Sequence, residues 1–384
     1  MSRRDFLRRM PKAGVGFGHR SALAERLHID FVLLLLLLLL TTIGLTVLYS
    51  ASGHDIGSVE RQGTFFVIAY STMFFVAQIP VDFLRRMAPW AYVLGVFLLV
   101  LTLVMGVGAK GAQRWLSLGG FRFQPSEVMK LAMPITIAAY LSQRFLPPRL
   151  LHIVITLALI LVPTALIIEQ PDLGTSILVV VSGMMVLFYA GLQWRYILIA
   201  LGLFGASLWP IWHYMLHDYQ RQRVITMLDP EQDRLGTGWN IIQSKTAIGS
   251  GGLSGKGWME GTQSRLDFLP EGHTDFIIAV MSEEFGLLGV CLLLFIYAMV
   301  IFRGLMIAAN SQNSFGRLLA ASISTTFFVY VFVNMGMVSG MLPVVGVPLP
   351  LISQGGTAIV ALFAGFGILM AIATEKKRVM TPQA

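Results

Sequence analysis

Three clusters of ionisable residues stand at the edges of long apolar stretches, where charge is costly and marks a functional candidate by default. The first is Gln124-Pro125-Ser126-Glu127-Val128-Met129-Lys130. Glu127 and Lys130 are three residues apart, so on a helix they share a face and can pair. A structural ion pair explains that spacing as well as a site does. The second, Glu169-Gln170-Pro171-Asp172, reads equally as a solvated turn or as part of a site. The third is Pro270-Glu271-Gly272-His273-Thr274-Asp275-Phe276. Thr274 or Asp275 can cap the helix that follows, because a short polar side chain satisfies free backbone N–H groups. An aspartate where a polar loop enters an apolar helix is also well placed as a general base. Burial and the helix N-terminus then act on its proton affinity in opposite directions. A fourth segment, from Gly249 to Gly257, resembles a phosphate-binding loop, but position 250 is Ser and Lys256 is followed by Gly. The P-loop pattern fails at both places; a glycine-rich turn whose amides approach some other phosphate stays open.

The elements that must hold these residues are membrane helices. Of the 384 residues, 55% are hydrophobic and 12% charged, against about 25% charged in soluble domains; the mean hydropathy is +0.73. A net charge of +8 would suit nucleic acid, but the charges cluster at the ends of apolar runs, as the positive-inside rule expects. The single cysteine, Cys291, lies in an apolar run, so no internal disulfide or cysteine metal cluster is available. Stretches long enough to cross a bilayer fall at roughly 29–50, 63–81, 87–107, 126–146, 148–168, 173–191, 194–213, 275–302, 317–338 and 352–373, since a crossing needs about 20 residues. The first run is too long for the apolar core of a cleaved signal peptide, about 7–15 residues.

The expected fold class is therefore an all-α integral membrane protein of about ten transmembrane helices. It consists of a basic tail at 1–28, a single polytopic domain at 29–374 and a tail at 375–384. A large outer loop, 214–274, joins helices 7 and 8. It is glycine-rich and polar, yet its Trp, Ile, Leu and Pro content predicts an ordered lid or re-entrant element. Arg3, Arg4, Arg8, Arg9, Lys12, Arg20 and Arg26 in the first tail and Lys376, Lys377 and Arg378 in the last place both ends in the cytoplasm. Arg85, Arg86, Arg144, Arg149, Arg195, Arg303 and Arg317 lie in loops on that same side. Among the short loops of the other side, the first has Arg61, and the Glu169–Asp172 connection and the one between the ninth and tenth stretches have no basic residue; Lys110, Arg114 and Arg122 break the pattern, and their placement against the bias points to binding of an anion.

The ordered motifs then resemble one family. Tyr219-Gln220-Arg221-Gln222-Arg223, Leu228-Asp229-Pro230, Gln243-Ser244-Lys245, Ile248-Gly249-Ser250-Gly251-Gly252, Gly255-Lys256-Gly257, His273-Thr274-Asp275-Phe276 and Pro348-Leu349-Pro350 look like the SEDS family of cell-wall polymerases. Gly257-Trp258 followed by Gly261-Thr262-Gln263-Ser264 is similar to its RodA-type elongation branch. The chain departs at Asp267, where relatives often carry Glu, and at Gly272, where they often have a larger residue.

The resemblance implies a peptidoglycan glycosyltransferase of the bacterial inner membrane, polymerising lipid II into a growing glycan strand on the outer face. It implies a class B penicillin-binding protein as partner and no nucleic acid. The family's essential aspartate falls on Asp275, its fourth-helix pair on Glu127 and Lys130, and its loop Arg-Trp on Arg114 and Trp115. Arg221, Arg223, Glu271 and His273 are further substrate-binding candidates, and Arg114, Lys110, Arg221 and Arg223 are candidates for holding the departing pyrophosphate. No metal-ligand cluster is visible; a divalent cation, magnesium or manganese, is compatible with the chemistry but not required by it. The alternatives are a lipid II flippase, which would need polar residues spread through the membrane's depth, and an idle scaffold for the transpeptidase.

Overall fold

The computed structural model describes residues 27–109, 112–118, 121–215, 218–233, 236–265 and 271–375. Lys110, Asp267 and the basic residues of both tails lie outside them. Three long helices come first: α1 (Phe31–Ala51), α2 (Ile56–Ala77) and α3 (Val81–Met105). Asp30 caps α1 by accepting from the Leu33 amide at 3.0 Å. Asp55 caps α2 by accepting from the amides of Gly57 and Ser58, each at 3.0 Å. The Ser58 hydroxyl, with the Gly57 amide, holds the Asp55 carboxyl below the usual range.

After α3 the chain forms a small antiparallel sheet, absent from the all-helical expectation: β1 (Val107–Ala109), β2 (Ala112–Leu118) and β3 (Phe121–Phe123), in that order. Val107 pairs with Trp115, and Leu116 with Phe123. Three helices follow, α4 (Pro125–Ser142), α5 (Leu150–Glu169) and α6 (Leu173–Tyr189), and then α7 (Trp194–Pro210), which has no buried residue. The long connection after α7 is ordered in its described part. It holds α8 (Asp218–Leu228), α9 (Thr237–Gly251) and the one-turn α10 (Thr262–Arg265). The last helices are α11 (Ile277–Asn310), α12 (Ser314–Val338) and α13 (Thr357–Thr374).

Among the described residues, seven helices are long and apolar enough to cross a membrane: α1, α3, α5, α7 with the turn after it, α11, α12 and α13. α12 and α13 form the centre of the bundle, whereas α3 and α5 turn mostly outward. Around that centre α13 packs on α2, α12 on α11 and α6, and α3 on α4.

α11 is broken. Gly286 has φ 62° and ψ −164°, which interrupts the helical ladder. Backbone groups freed inside a bilayer must find partners in the protein, and here the glycine-rich segment after α9 supplies them. The amides of Leu287 and Leu288 donate to the carbonyls of Gly252 (3.0 Å) and Leu253 (3.1 Å), while the amides of Lys256 and Gly257 donate to the carbonyls of Glu283 and Glu284, both at 3.0 Å. In the segment that resembled a phosphate cradle, the amides of Gly255, Lys256 and Gly257 are thus engaged by protein backbone.

Side chains reinforce the join. Glu283 is fully buried, and its Oε1 accepts from Lys256 Nζ at 2.7 Å and from the amide and hydroxyl of Thr262 at 2.8 and 2.9 Å. Ser50, in the last turn of α1, donates to the buried Glu284. At the opposite end of α1, both oxygens of Asp30 accept from Arg303 of α11, at 3.1 and 2.5 Å.

Gly255 (φ +77°) shows why this segment is rich in glycine: a Cβ there would fall against the backbone carbonyl of Glu284. A left-handed conformation alone costs a non-glycine residue about 1–2 kcal/mol, and the collision adds to it. Gly255→Ala is therefore expected to lower the thermal unfolding temperature in detergent clearly. Gly249→Ala, whose Cβ would meet nothing within 4 Å, leaves it unchanged or slightly raised. Equal behaviour of the two variants would show that the join to α11 contributes little to stability.

Candidate active site

Pro125 at the first position of α4 sets the start of that helix, so that Glu127 lies in its first turn and Lys130 one turn further in. Their side chains are buried and paired, with Lys130 Nζ donating to Glu127 Oε1 at 2.6 Å. Lys130 Nζ also lies 5.1 Å from the ring centre of Tyr330 on α12. An ion pair this buried gains from attraction roughly what it loses in hydration, so its persistence is weak evidence for a role in stability alone.

Above the pair, β2 brings in Arg114 and Trp115. Arg114 Nε donates to the Gln170 carbonyl at 3.3 Å, its Nη2 donates to the Pro171 carbonyl, and its Nη1 is 3.9 Å from Asp172 Oδ1. Asp172 is buried. Its Oδ1 accepts from the Thr175 amide (3.2 Å), capping α6, and its Oδ2 accepts from Gln124 Nε2 (2.7 Å). In the Glu169–Asp172 corner Glu169 is exposed, whereas Gln170 and Asp172 are buried, and Asp172 ties α6 to β2 and to the start of α4.

Arg114, Trp115, Gln124, Glu127, Lys130, Asp172 and Tyr330 line one polar cleft of about 300 Å³, closed on its other side by Gly346–Pro348 and Gln354–Ala358. Beside it runs an apolar groove of about 510 Å³ between α2, α3, α4 and α13, walled by Phe65, Ile68, Val128, Leu131, Val360 and Ala364. Gln124, Glu127 and Thr357 line both.

Asp275 sits at the rim of the cleft rather than in its wall. A Cβ on Gly346, which does line the cleft, would stand 3.6 Å from Asp275 Oδ2. Phe276, not Thr274 or Asp275, occupies the N-cap of α11. The turn before it is held by its carbonyls: the Gln354 amide donates to His273 (3.0 Å), Ser353 Oγ to Thr274 (2.6 Å) and Asn334 Nδ2 to Asp275 (2.9 Å). Glu271 closes the same turn, its Oε2 accepting from Thr274 Oγ1 at 2.8 Å and its carbonyl accepting from the amides of Thr274 and Phe276, each at 3.2 Å.

The structure thus brings together Arg114, Trp115, Glu127 and Lys130, and places Glu271, His273 and Asp275 on the adjoining turn. Arg221 and Arg223 stand apart on α8. Arg221 donates to the His213 carbonyl at 2.9 Å and lies 3.7 Å from Asp218. Among the described residues no three His, Cys, Asp or Glu side chains converge on a point, so the donor set does not fit a cation held by protein alone. Sequence reasoning passed over Tyr330 and Asn334. Their i, i+4 spacing in the apolar second half of α12 was a usable signal, because it puts two polar groups on one buried face.

Residues 30–378 match the family FTSW_RODA_SPOVE, described as cell cycle protein. The chain is 53% identical over 353 residues to the peptidoglycan glycosyltransferase MrdB of Escherichia coli (strain K12), covering 92% of this chain and 95% of that one. It is 35% identical over 353 residues to the stage V sporulation protein E of Bacillus subtilis (strain 168), covering 89% and 96%. Two solved structures share the fold. One is described as the structural coordination of polymerization and crosslinking by a peptidoglycan synthase complex (TM-score 0.80, 30% identity, 91% of this chain and 99% of that one). The other is the crystal structure of the Thermus thermophilus rod shape determining protein RodA (TM-score 0.70, 27% identity, 91% and 98%). Family match, identity and shared fold agree along almost the whole chain, and this multi-pass membrane protein belongs to the FtsW, RodA and SpoVE family.

Proposed function

We infer that the chain is a RodA-type peptidoglycan glycosyltransferase that polymerises lipid II into glycan strands during cell elongation, releasing undecaprenyl pyrophosphate. The observation that carries this reading is the continuity of the polar cleft with the apolar groove through Gln124, Glu127 and Thr357. A substrate with a charged sugar head and a polyprenyl tail needs both surfaces side by side. The candidate residues also gather at the end of the bundle where α4 and α11 begin, which supports an enzyme over a flippase.

In this mechanism Asp275 takes the proton from the 4-hydroxyl of the acceptor sugar as that oxygen attacks the anomeric carbon of the donor. The bond from that carbon to the pyrophosphate oxygen breaks, and undecaprenyl pyrophosphate leaves with the electron pair. One displacement inverts the sugar centre. Arg114 and Lys130 supply positive charge beside the leaving group, where charge-assisted hydrogen bonds are strongest. Trp115 offers an apolar face to a sugar ring. Arg221, Arg223, Glu271 and His273 are assigned to the approach of the substrate and the glycan strand.

The finer architecture fits this reading. With α2, α4 and α6 added to the seven apolar helices, the polytopic domain 29–374 crosses ten times. α6 has 17 residues, and α4 carries the Glu127–Lys130 pair. The basic loops then place both tails, 1–28 and 375–384, in the cytoplasm. The loop 214–274 and the cleft face the periplasm of a bacterial inner membrane, where a class B penicillin-binding protein would crosslink the product.

Polymerisation of purified lipid II by the detergent-purified protein, alone and with its cognate class B penicillin-binding protein, tests the central assignment. Asp275→Asn is expected to lower the rate by about 10²–10⁴-fold; undiminished polymer from a folded variant would remove Asp275 from catalysis. Lys130→Met strands a buried carboxylate, which destabilises by about 3–5 kcal/mol. The double variant Glu127→Gln/Lys130→Met recovers the unfolding temperature but not the activity; recovery of both would make the pair purely structural. Ala364→Trp, which fills the apolar groove, is expected to raise KM for lipid II with little change for a donor carrying a short prenyl chain. Equal effects on both donors would place the tail elsewhere.

A further inference from the structure

We propose that Asn334 is a positioning residue for Asp275, and that α12 is the gauge that spaces Asp275 from the Glu127–Lys130 pair. The inference rests on the assignment of Asp275 as the general base. Asn334 has no exposed surface and sits in an apolar stretch of α12, where an amide is expensive unless hydrogen-bonded. Its Nδ2 donates to the Asp275 carbonyl at 2.9 Å and to the Val347 carbonyl at 2.8 Å.

These two acceptors belong to different parts of the site. Asp275 lies on the turn before α11, and Val347 lies in the wall of the polar cleft beside Gly346, where a Cβ would stand 3.6 Å from Asp275 Oδ2. One amide therefore fixes the distance between the general base and the wall it faces.

The chemistry demands this residue type. Both acceptors are carbonyls, so the group between them must offer two protons. Among short side chains that reach from this position, an aspartate has at most one proton and a serine one; leucine of similar volume has none. The reversed amide would set oxygen against two carbonyls, so only one orientation is stable. The neighbouring carbonyls of His273 and Thr274 are held from the 353–354 turn, whereas the carbonyl of Asp275 is held from a membrane helix. One helical turn earlier on that helix, Tyr330 lies over Lys130. Four residues of helix rise about 6 Å, so the same rigid rod registers the base at one point and the cationic group at the other.

The test measures kcat and KM for lipid II of Asn334→Ala and Asn334→Ser, normalised to monodisperse folded protein, beside Asp275→Asn. The expected result is a fall in kcat of about 10- to 100-fold for Asn334→Ala, the range a small misplacement of a catalytic group produces. KM should stay near the wild-type value, and Asn334→Ser, which keeps one donor, should recover part of kcat. A residue that only stabilises the bundle would lower yield and unfolding temperature while leaving kcat per folded molecule unchanged, and that result would overturn the proposal. If Asn334→Ala does not fold, the kcat of Asn334→Ser decides: a wild-type value overturns the proposal, and a fall at constant KM supports it. Full activity of Asp275→Asn would instead sink the assignment on which the proposal rests, whatever the Asn334 variants do.

Discussion

A polypeptide inside a bilayer has no water to satisfy its backbone, so each interruption of a helix has to be repaired by another part of the chain. The break of α11 at Gly286 is the place where this constraint organises the molecule. Its repair uses the carbonyls of Gly252 and Leu253 and the amides of Lys256 and Gly257, and those bonds lock the long connection after α7 onto the first turns of α11. The turn bearing Asp275 is the direct continuation of those turns. A local defect in one helix thus determines where the large loop and Asp275 can sit.

The polar cleft follows a related logic. Charged groups at this depth persist only when paired or hydrogen-bonded, and each one here is. Lys130 meets Glu127, Arg114 meets the carbonyls that end α5, and Asp172 takes the donors of Gln124 and Thr175. The partners come from α4, α6 and β2, so the cleft exists only once these elements have docked. Its contact with the apolar groove lets one surface accept both halves of an amphipathic ligand.

Much of this was legible in the residues alone. Every apolar stretch of about crossing length became a helix, because twenty consecutive apolar residues have few other uses. Boundaries were less visible: α2 begins at Ile56, ahead of the apolar run, because Asp55 caps a helix whose opening is polar, with Glu60 and Arg61 in the second turn. The sheet around Trp115 was missed, since strands of three and seven residues leave too short a pattern to read. Gly249–Gly257 showed its need for close backbone approach but not what would approach, which is a tertiary fact. Glu127, Lys130 and Asp275 were nameable from spacing and position. Asp172 was left open between turn and site, because sequence does not reveal that its carboxylate is buried against Gln124. Asn334 shows its purpose only when Asp275 and Val347, 59 and 13 residues away, arrive on either side of it.

α1 meets α11 on both sides of the fracture, through Ser50 and Glu284 before it and through Asp30 and Arg303 near the far end. It therefore acts as a splint. A helix lacking its ladder at one point would bend there under load, but the splint carries bending moment past the gap and keeps the two halves in line. A force applied to the long connection after α7 is then divided between α11 and α1 before it reaches the turn holding Asp275. The Asp30–Arg303 ion pair is a remote part of the same brace, so mechanical stiffness near Asp275 depends on a charge contact at the opposite end of α1.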